Sequence, residues 1–226
     1  ATIDGIPVEQ VDAFIGNNPA LKQKIRKMEL TRSKTSWNWP VFLTTFFGGA
    51  LLTPCWFFHR RMNKIAAVLL AAGIVFTLLS LLIVAPVLEA TTEMLQDIIQ
   101  MQEISNDPYG WTIDEEEMIE QIVLEFMQKI SGVLAVSSLL NLVQLAYAII
   151  ISMFANTLYK QHVTKTIAAM TSSGSVTWEE LSARGGTAVA GWIILGAAAL
   201  ILSVATGIWA AHDILNEIFT YLPYLQ

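Results

Sequence analysis

Long apolar runs alternate with charged segments along this chain, and three of the runs have the length of membrane-spanning helices. They lie at residues 64–88, 131–157 and 188–211. The first contains 23 consecutive uncharged residues, about 34 Å of helix, whereas the hydrocarbon core of a bilayer is about 30 Å thick. With 54% hydrophobic and 14% charged residues, the chain is also too apolar for an ordinary soluble domain. The pattern predicts an all-α integral membrane protein with three transmembrane helices.

A fourth apolar stretch, residues 36–63, is interrupted by Gly48-Gly49 and by Pro54. Its uncharged part, residues 41–58, gives about 27 Å as one straight helix, slightly less than the bilayer core. A single span would place six preceding basic residues and three following ones on opposite sides of the membrane, against the positive-inside tendency. The charges therefore favour a re-entrant or interfacial helical hairpin that turns at the glycines, with a spanning helix as the alternative.

Aromatic and basic residues mark both ends of this stretch. Indole side chains favour the membrane–water interface, and Lys and Arg favour the cytoplasmic side. The candidate hairpin and interface anchors are Trp37, Trp39, Gly48, Gly49, Trp56, Arg60 and Arg61. The only cysteine, Cys55, lies within the stretch, where a thiol is expected to behave as a small apolar group.

The charges of the chain are sorted by sign. Residues 89–130 contain eleven acidic residues and a single basic one, Lys129, while the other twelve Lys and Arg lie in segments 1–35, 36–63 or 158–187, or at the start of the first span. Because basic residues favour the cytoplasmic side, this partition predicts a cytoplasmic N-terminus. Residues 89–130 and the tail 212–226 are then extracytoplasmic.

The segments outside the spans have helical periodicity. The basic segment 1–35 predicts two short helices, the second capped by Asn18, that lie on anionic headgroups or dock to a partner protein. Residues 89–130 predict an acidic pair of helices, in which the carboxylates near residue 115 favour a helix start over a calcium site. The segment 158–187 predicts a loop and short helices, including one with a capping box at Thr177.

Polar and small residues inside the spans form two faces. Asn141 and Gln144 are three positions apart on one helix face, where they either bond a neighbouring helix or line a substrate or ion path. Ala199, Ser203 and Gly207 recur every four residues and permit close helix approach, within this bundle or in a homodimer. These five residues are the candidate helix-packing and polar face.

The sequence contains no P-loop, no Gly-x-Ser-x-Gly, no His-Glu-x-x-His and no cysteine pair. We therefore expect no enzyme activity, no cofactor, no metal and no nucleic-acid partner. The expected partners are the lipid bilayer and other membrane protein subunits, and the sequence leaves open whether the chain also forms a homo-oligomer. These features predict a non-enzymatic accessory or structural subunit of a larger membrane protein assembly. The alternative is a component of a small-molecule or ion transporter or channel.

Three short motifs resemble an uncharacterised bacterial family of small membrane proteins, domain of unknown function 2628. The motifs read SWNWPVFL at Ser36–Leu43, CWFFHRRM at Cys55–Met62 and FANTLYKQHV at Phe154–Val163. The likeness covers roughly residues 5–167. It implies a multi-pass protein of the bacterial cell (inner) membrane, and it implies no activity.

Overall fold

The computed structural model describes residues 1–105 and 115–188, together with residues 193, 196–198, 201, 205, 212 and 216. The chain begins with a small antiparallel ribbon of β1 (Thr2–Ile3) and β2 (Ile6–Pro7). Asp4 and Gly5 connect the strands with φ of 47° and 80°. Two positive φ values at an Asp-Gly pair are typical of the tight turn that suits a β-hairpin.

The described chain is predominantly helical. The helices are α1 (Val8–Ile15), α2 (Pro19–Thr31), α3 (Trp39–His59), α4 (Asn63–Ser105), α5 (Glu115–Ser172) and α6 (Trp178–Arg184). Local sequence explains two of their starts. The Asn18 side chain accepts a hydrogen bond from the Leu21 amide at 3.0 Å at the start of α2. The predicted capping box at Thr177 and Glu180 is confirmed at the start of α6.

Among the described residues, three helices are long and apolar enough to cross a membrane: α3, residues Asn63–Gln100 of α4 and residues Glu117–Ser172 of α5. They indicate a membrane-embedded, multi-pass protein. The predicted spans 64–88 and 131–157 lie inside α4 and α5. The predicted span 188–211 and tail 212–226 lie outside the described residues apart from isolated positions. Residues 106–114, in the middle of the predicted acidic helical pair, also lie outside them.

The helix α3 consists of two arms joined at Gly49. Gly49 has φ 66° and ψ −176°, a backbone conformation that is essentially restricted to glycine. The hydroxyl oxygens of Thr45 and Thr53, eight residues apart and on different arms, are 3.0 Å apart and buried. Eight residues of straight helix would rise about 12 Å. The chain therefore turns back at Gly49, and the two arms pack against each other.

The second arm packs closely on α4. A Cβ placed on Gly73 would lie 2.7 Å from the Ala50 carbonyl oxygen and 3.0 Å from the Leu51 Cα. In a regular helix the backbone N–H of residue 54 would donate to the Ala50 carbonyl, but Pro54 has no backbone N–H. The absence of a side chain at Gly73 lets the backbone of α4 approach this part of the arm.

One compact unit contains residues 1–76 and 143–199. Its core is organised along α5, where Ala155, Tyr159, Val163 and Ile167 recur every four residues and are fully buried. Helices α1, α2, α3, α4 and α6 all contribute side chains to the same core. This stripe explains why α5 continues to Ser172 through residues predicted as loop and short helices: the additional turns bury apolar surface.

The second compact unit contains residues 77–142 and 200–226. In its described part, Ala90 and Ile99 of α4 and Ile130 of α5 are buried. The Lys129 ammonium lies 2.8 Å from a Glu93 carboxylate oxygen of α4 and 3.0 Å from one of Glu125 on its own helix. The one cation of the acidic segment thus connects the two helices.

Candidate functional site: a buried polar cluster at the ends of α3

The two ends of α3 meet α5 in a cluster of buried polar residues. The Asn38 side-chain amide donates a hydrogen bond to the side-chain oxygen of Asn156, 118 positions later, at 2.9 Å. Asn38 is 3% exposed and Asn156 is 1% exposed. Asn38 also caps α3, because its side-chain oxygen accepts a bond from the Val41 amide at 3.3 Å. One residue thus starts α3 and fixes it to α5.

The segment before α3 pairs with the backbone of α5. The amides of Ser36 and Asn38 donate to the carbonyls of Met153 and Ser152, each at 3.0 Å. In return, the Asn156 amide group donates to the Ser36 carbonyl at 3.1 Å. The first and third of the motif segments that carry the family resemblance are therefore hydrogen-bonded to each other.

The second motif segment supplies Arg60, which follows the last residue of α3. Arg60 is 7% exposed, and its guanidinium carbon lies 5.9 Å from the Trp56 ring and 5.5 Å from the Tyr159 ring. The Tyr159 hydroxyl is near enough to interact electrostatically with the guanidinium. Even so, Nε and Nη1 of Arg60 are buried without a hydrogen-bond partner in the described part of the chain.

A cavity of about 190 Å³ adjoins these residues. Its lining includes Asn38, Trp56, Arg60 and Asn156 from the cluster and Asn18, Ala20 and Lys24 from the start of α2. The Lys24 ammonium donates to the Trp37 carbonyl at 3.1 Å. The cavity lining contains two cationic side chains and no carboxylate.

A second charged cluster fixes the N-terminal ribbon and α2 to α5. The Lys160 ammonium lies 2.5 Å from a Glu29 carboxylate oxygen and 2.9 Å from one of Asp4. The hydrogen bond from Lys160 holds the pKa of Glu29 below its ordinary value, although partial burial opposes this shift. This ion pair links elements that are far apart in sequence.

The predicted hairpin and anchor residues lie in different environments in the structure. Trp39 is 58% exposed and Trp37 is partly buried, in edge-to-face contact with it at 5.5 Å between ring centroids. Trp56 and Arg60 are in the polar cluster. The Arg61 guanidinium donates to the Ala183 carbonyl near the end of α6.

The predicted polar face is only partly described. Asn141 is exposed and Gln144 is partly buried on α5. The other three members of that face, Ala199, Ser203 and Gly207, lie outside the described residues.

Sequence reasoning did not select Asn38, Asn156 or Tyr159 as site residues. All three lie within the motifs that carry the family resemblance, and a polar residue beside an apolar run is a recognisable signal for interhelical bonding. Among the described residues, the structure contains no group of three His, Cys, Asp or Glu side chains placed to hold a metal ion.

Comparisons with protein-family models, curated proteins and solved structures found no match. The family resemblance therefore stays a prediction that rests on its three motifs.

Proposed function

We propose that this protein is a non-enzymatic accessory subunit of a larger protein assembly in the bacterial inner membrane. The observation that carries the proposal is an apolar stripe on the acidic part of α5. Ile119, Val123 and Met127 are each about 40–50% exposed. They recur every four residues and so share one helix face.

Neither water nor lipid is a favourable environment for this stripe. Glu117, Glu120 and Glu125 occupy the same turns of α5, and carboxylates of this density keep a helix out of hydrocarbon. Apolar side chains exposed to water on such a helix are typical of a surface that binds another protein. We therefore propose that a partner subunit packs a helix against the stripe outside the membrane.

The proposed topology has a cytoplasmic N-terminus and a re-entrant α3. Asn38 precedes α3 and Arg60 follows it, yet both line the same cavity. This proximity supports an entry and an exit on one side of the membrane. Irregular backbone such as that at Gly49 is tolerated at membrane depth where protein covers it, and α4 covers the second arm at Gly73. The sorting of charge favours the cytoplasm as that side.

Site-specific photo-crosslinking in native membranes tests the proposed subunit role. A photoreactive residue at Val123 lies on the stripe, and the same residue at Glu125, on the other side of the helix, is the matched control. We expect Val123 to give a crosslink to a second protein that mass spectrometry identifies, and Glu125 to give little. A monomer that runs alone after mild detergent extraction, with no crosslink at either position, would contradict the proposal.

The transporter alternative requires Asn141 and Gln144 to line a substrate or ion path. A double substitution Asn141→Leu and Gln144→Leu that folds normally but abolishes flux in a reconstituted assay would favour this alternative over the accessory role.

A further inference from the structure

We propose that α3 is a wedge in one leaflet of the bilayer, and that the protein therefore concentrates where this leaflet is convex. The inference rests on the re-entrant topology proposed above. Both ends of α3 lie at the same level of α5. Asn38 bonds Asn156, and the guanidinium of Arg60 lies over the ring of Tyr159, less than one helical turn further along α5. The two ends of a helix that crosses the bilayer would instead be about 30 Å apart.

The turn of α3 lies about halfway through the bilayer. The ten residues from Trp39 to Gly49 rise about 15 Å, and the hydrocarbon core is about 30 Å thick. The helix α4 gives the same depth, because Gly73, which lies against Ala50 just after the turn, is ten residues from the start of that helix. Both arms of α3 are therefore confined to one leaflet.

The first arm of α3 has an aromatic face, formed by Trp39, Phe42, Phe46 and Phe47. The Phe42 ring centroid lies 5.8 Å from that of Trp39 and 5.5 Å from that of Phe46. Phe46 and Phe47, beside the turn, are 54% and 80% exposed. The second arm differs, since Phe57 and three of its neighbours, Thr53, Pro54 and Cys55, are buried in the protein. The aromatic face is thus the outer surface of the wedge.

Acyl chains are the occupant that fits the aromatic face. Residues 39–58 include no charged side chain. The two hydroxyls of the first arm bond carbonyls of the same arm, Thr44 to Pro40 and Thr45 to Val41, each at 2.8 Å. Polar groups that are satisfied within their own segment are what hydrocarbon requires. The arm therefore needs no polar partner at this surface.

Two helical arms in one leaflet make the cross-section of the protein unequal on the two sides of the bilayer midplane. Each helix is about 10 Å wide, so the arms add on the order of 150 Å² to one leaflet only. A convex leaflet is stretched and accommodates this additional area more easily. Helices that insert into one leaflet are sensitive to membrane curvature for the same reason.

Sorting of the full chain between small and large vesicles tests the inference. The protein carries Cys55→Ala and one new cysteine, either Lys27→Cys on α2 or Glu125→Cys on α5, both exposed positions. A membrane-impermeant maleimide dye, added outside sealed vesicles of phosphatidylcholine and phosphatidylglycerol, labels only chains whose cysteine faces outward. The two cysteines thus count the two orientations separately. Single-vesicle microscopy then gives the density of labelled protein per membrane area.

We expect chains labelled at Lys27→Cys to be at least about twofold denser on small vesicles, which corresponds to about 0.4 kcal/mol. Chains labelled at Glu125→Cys should be denser on large vesicles, because their wedge lies in the concave leaflet. Equal densities on both vesicle sizes for the Lys27→Cys chains, or the same sorting for both orientations, would overturn the proposal. Sorting that occurs only at a high ratio of protein to lipid would assign the aromatic face to a second copy of the chain and would also overturn it.

A double substitution separates the wedge from the bulk of the protein outside the membrane. Phe46→Ala with Phe47→Ala shrinks the aromatic face, and Val68→Ala with Val75→Ala is the matched control at exposed apolar positions of α4. Circular dichroism verifies that both variants are folded. The first variant should sort less than the wild type and the control should sort equally, whereas wild-type sorting by the first variant would overturn the proposal. These vesicles contain no partner subunit, so a negative result leaves the accessory role to the crosslinking test.

Discussion

Replacing Gly73 by alanine is expected to disturb the packing of α4 on the second arm of α3. The added methyl carbon would lie 2.7 Å from the Ala50 carbonyl oxygen, 2.9 Å from its carbonyl carbon and 3.0 Å from the Leu51 Cα. Carbon–carbon contacts are optimal near 3.5–4.0 Å. All three neighbours are backbone atoms of a packed helix, so they cannot rotate away as a flexible side chain would.

Two opposing effects determine how much Gly73→Ala changes the free energy of unfolding. Overpacking of a methyl group against rigid neighbours costs about 1–3 kcal/mol. Alanine is intrinsically the better helix former by about 1 kcal/mol. Gly132 of α5 supplies the matched control, because a Cβ there meets no atom of a described residue within 4 Å. Gly132→Ala should therefore show only the gain in helix propensity, and the two variants should differ by about 1–3 kcal/mol.

Unfolding of both variants in detergent micelles by sodium dodecyl sulfate, followed by tryptophan fluorescence, measures this difference. Gly73→Ala should unfold at a dodecyl sulfate fraction equal to or below that of the wild type. Gly132→Ala should unfold at a higher fraction than the wild type. Equal stabilities for the two alanine variants would refute the close approach of α4 to the arm.

Three further outcomes follow from the polar cluster, the ion pair and the glycine turn. Asn156→Ala should lower the free energy of unfolding by about 1–3 kcal/mol, because it leaves the buried Asn38 amide without its acceptor; an unchanged midpoint in the same assay would contradict the pairing. The pKa of Glu29 is lowered in the folded state, so its bond to Lys160 stabilises the fold above pH ~4.5 and the stabilisation is lost as the pH falls through the lowered pKa. Glu29→Gln should then be less stable than the wild type at pH 7, with the gap closing in acid, and a gap independent of pH would exclude this linkage. Gly49→Ala should cost about 1–3 kcal/mol from backbone strain alone, and an alanine variant as stable as the wild type would show that φ at this position is not positive.

Some features of the fold were accessible from the sequence because they depend on neighbouring residues. The cap at Asn18 and the capping box at Thr177 use residues within three positions of each other, and such contacts do not depend on the rest of the fold. The Asp4-Gly5 turn is equally local, and the ribbon that it forms was missed because only helical periodicity was considered in this region.

The candidate site was less accessible, because its parts are separated by long stretches of chain. Nothing near Asn156 in the sequence indicates that it bonds Asn38, since 118 positions lie between them. Arg60 was predicted to anchor the hairpin at the interface on charge alone. Its burial between Trp56 and Tyr159 depends on how the end of α3 packs on α5, which a local pattern does not encode.

The sequence by itself determined that this is a helical membrane protein, because runs of 20 or so apolar residues have few other stable environments. It also determined where the chain of α3 is able to turn, since Gly48 and Gly49 tolerate backbone conformations that other residues do not. Only the tertiary structure decided that the two ends of α3 meet at one cavity beside α5. The two ends are held there by buried hydrogen bonds between residues far apart in the chain. Such polar groups are buried only when the helices pack, and only then does an unpaired group cost free energy.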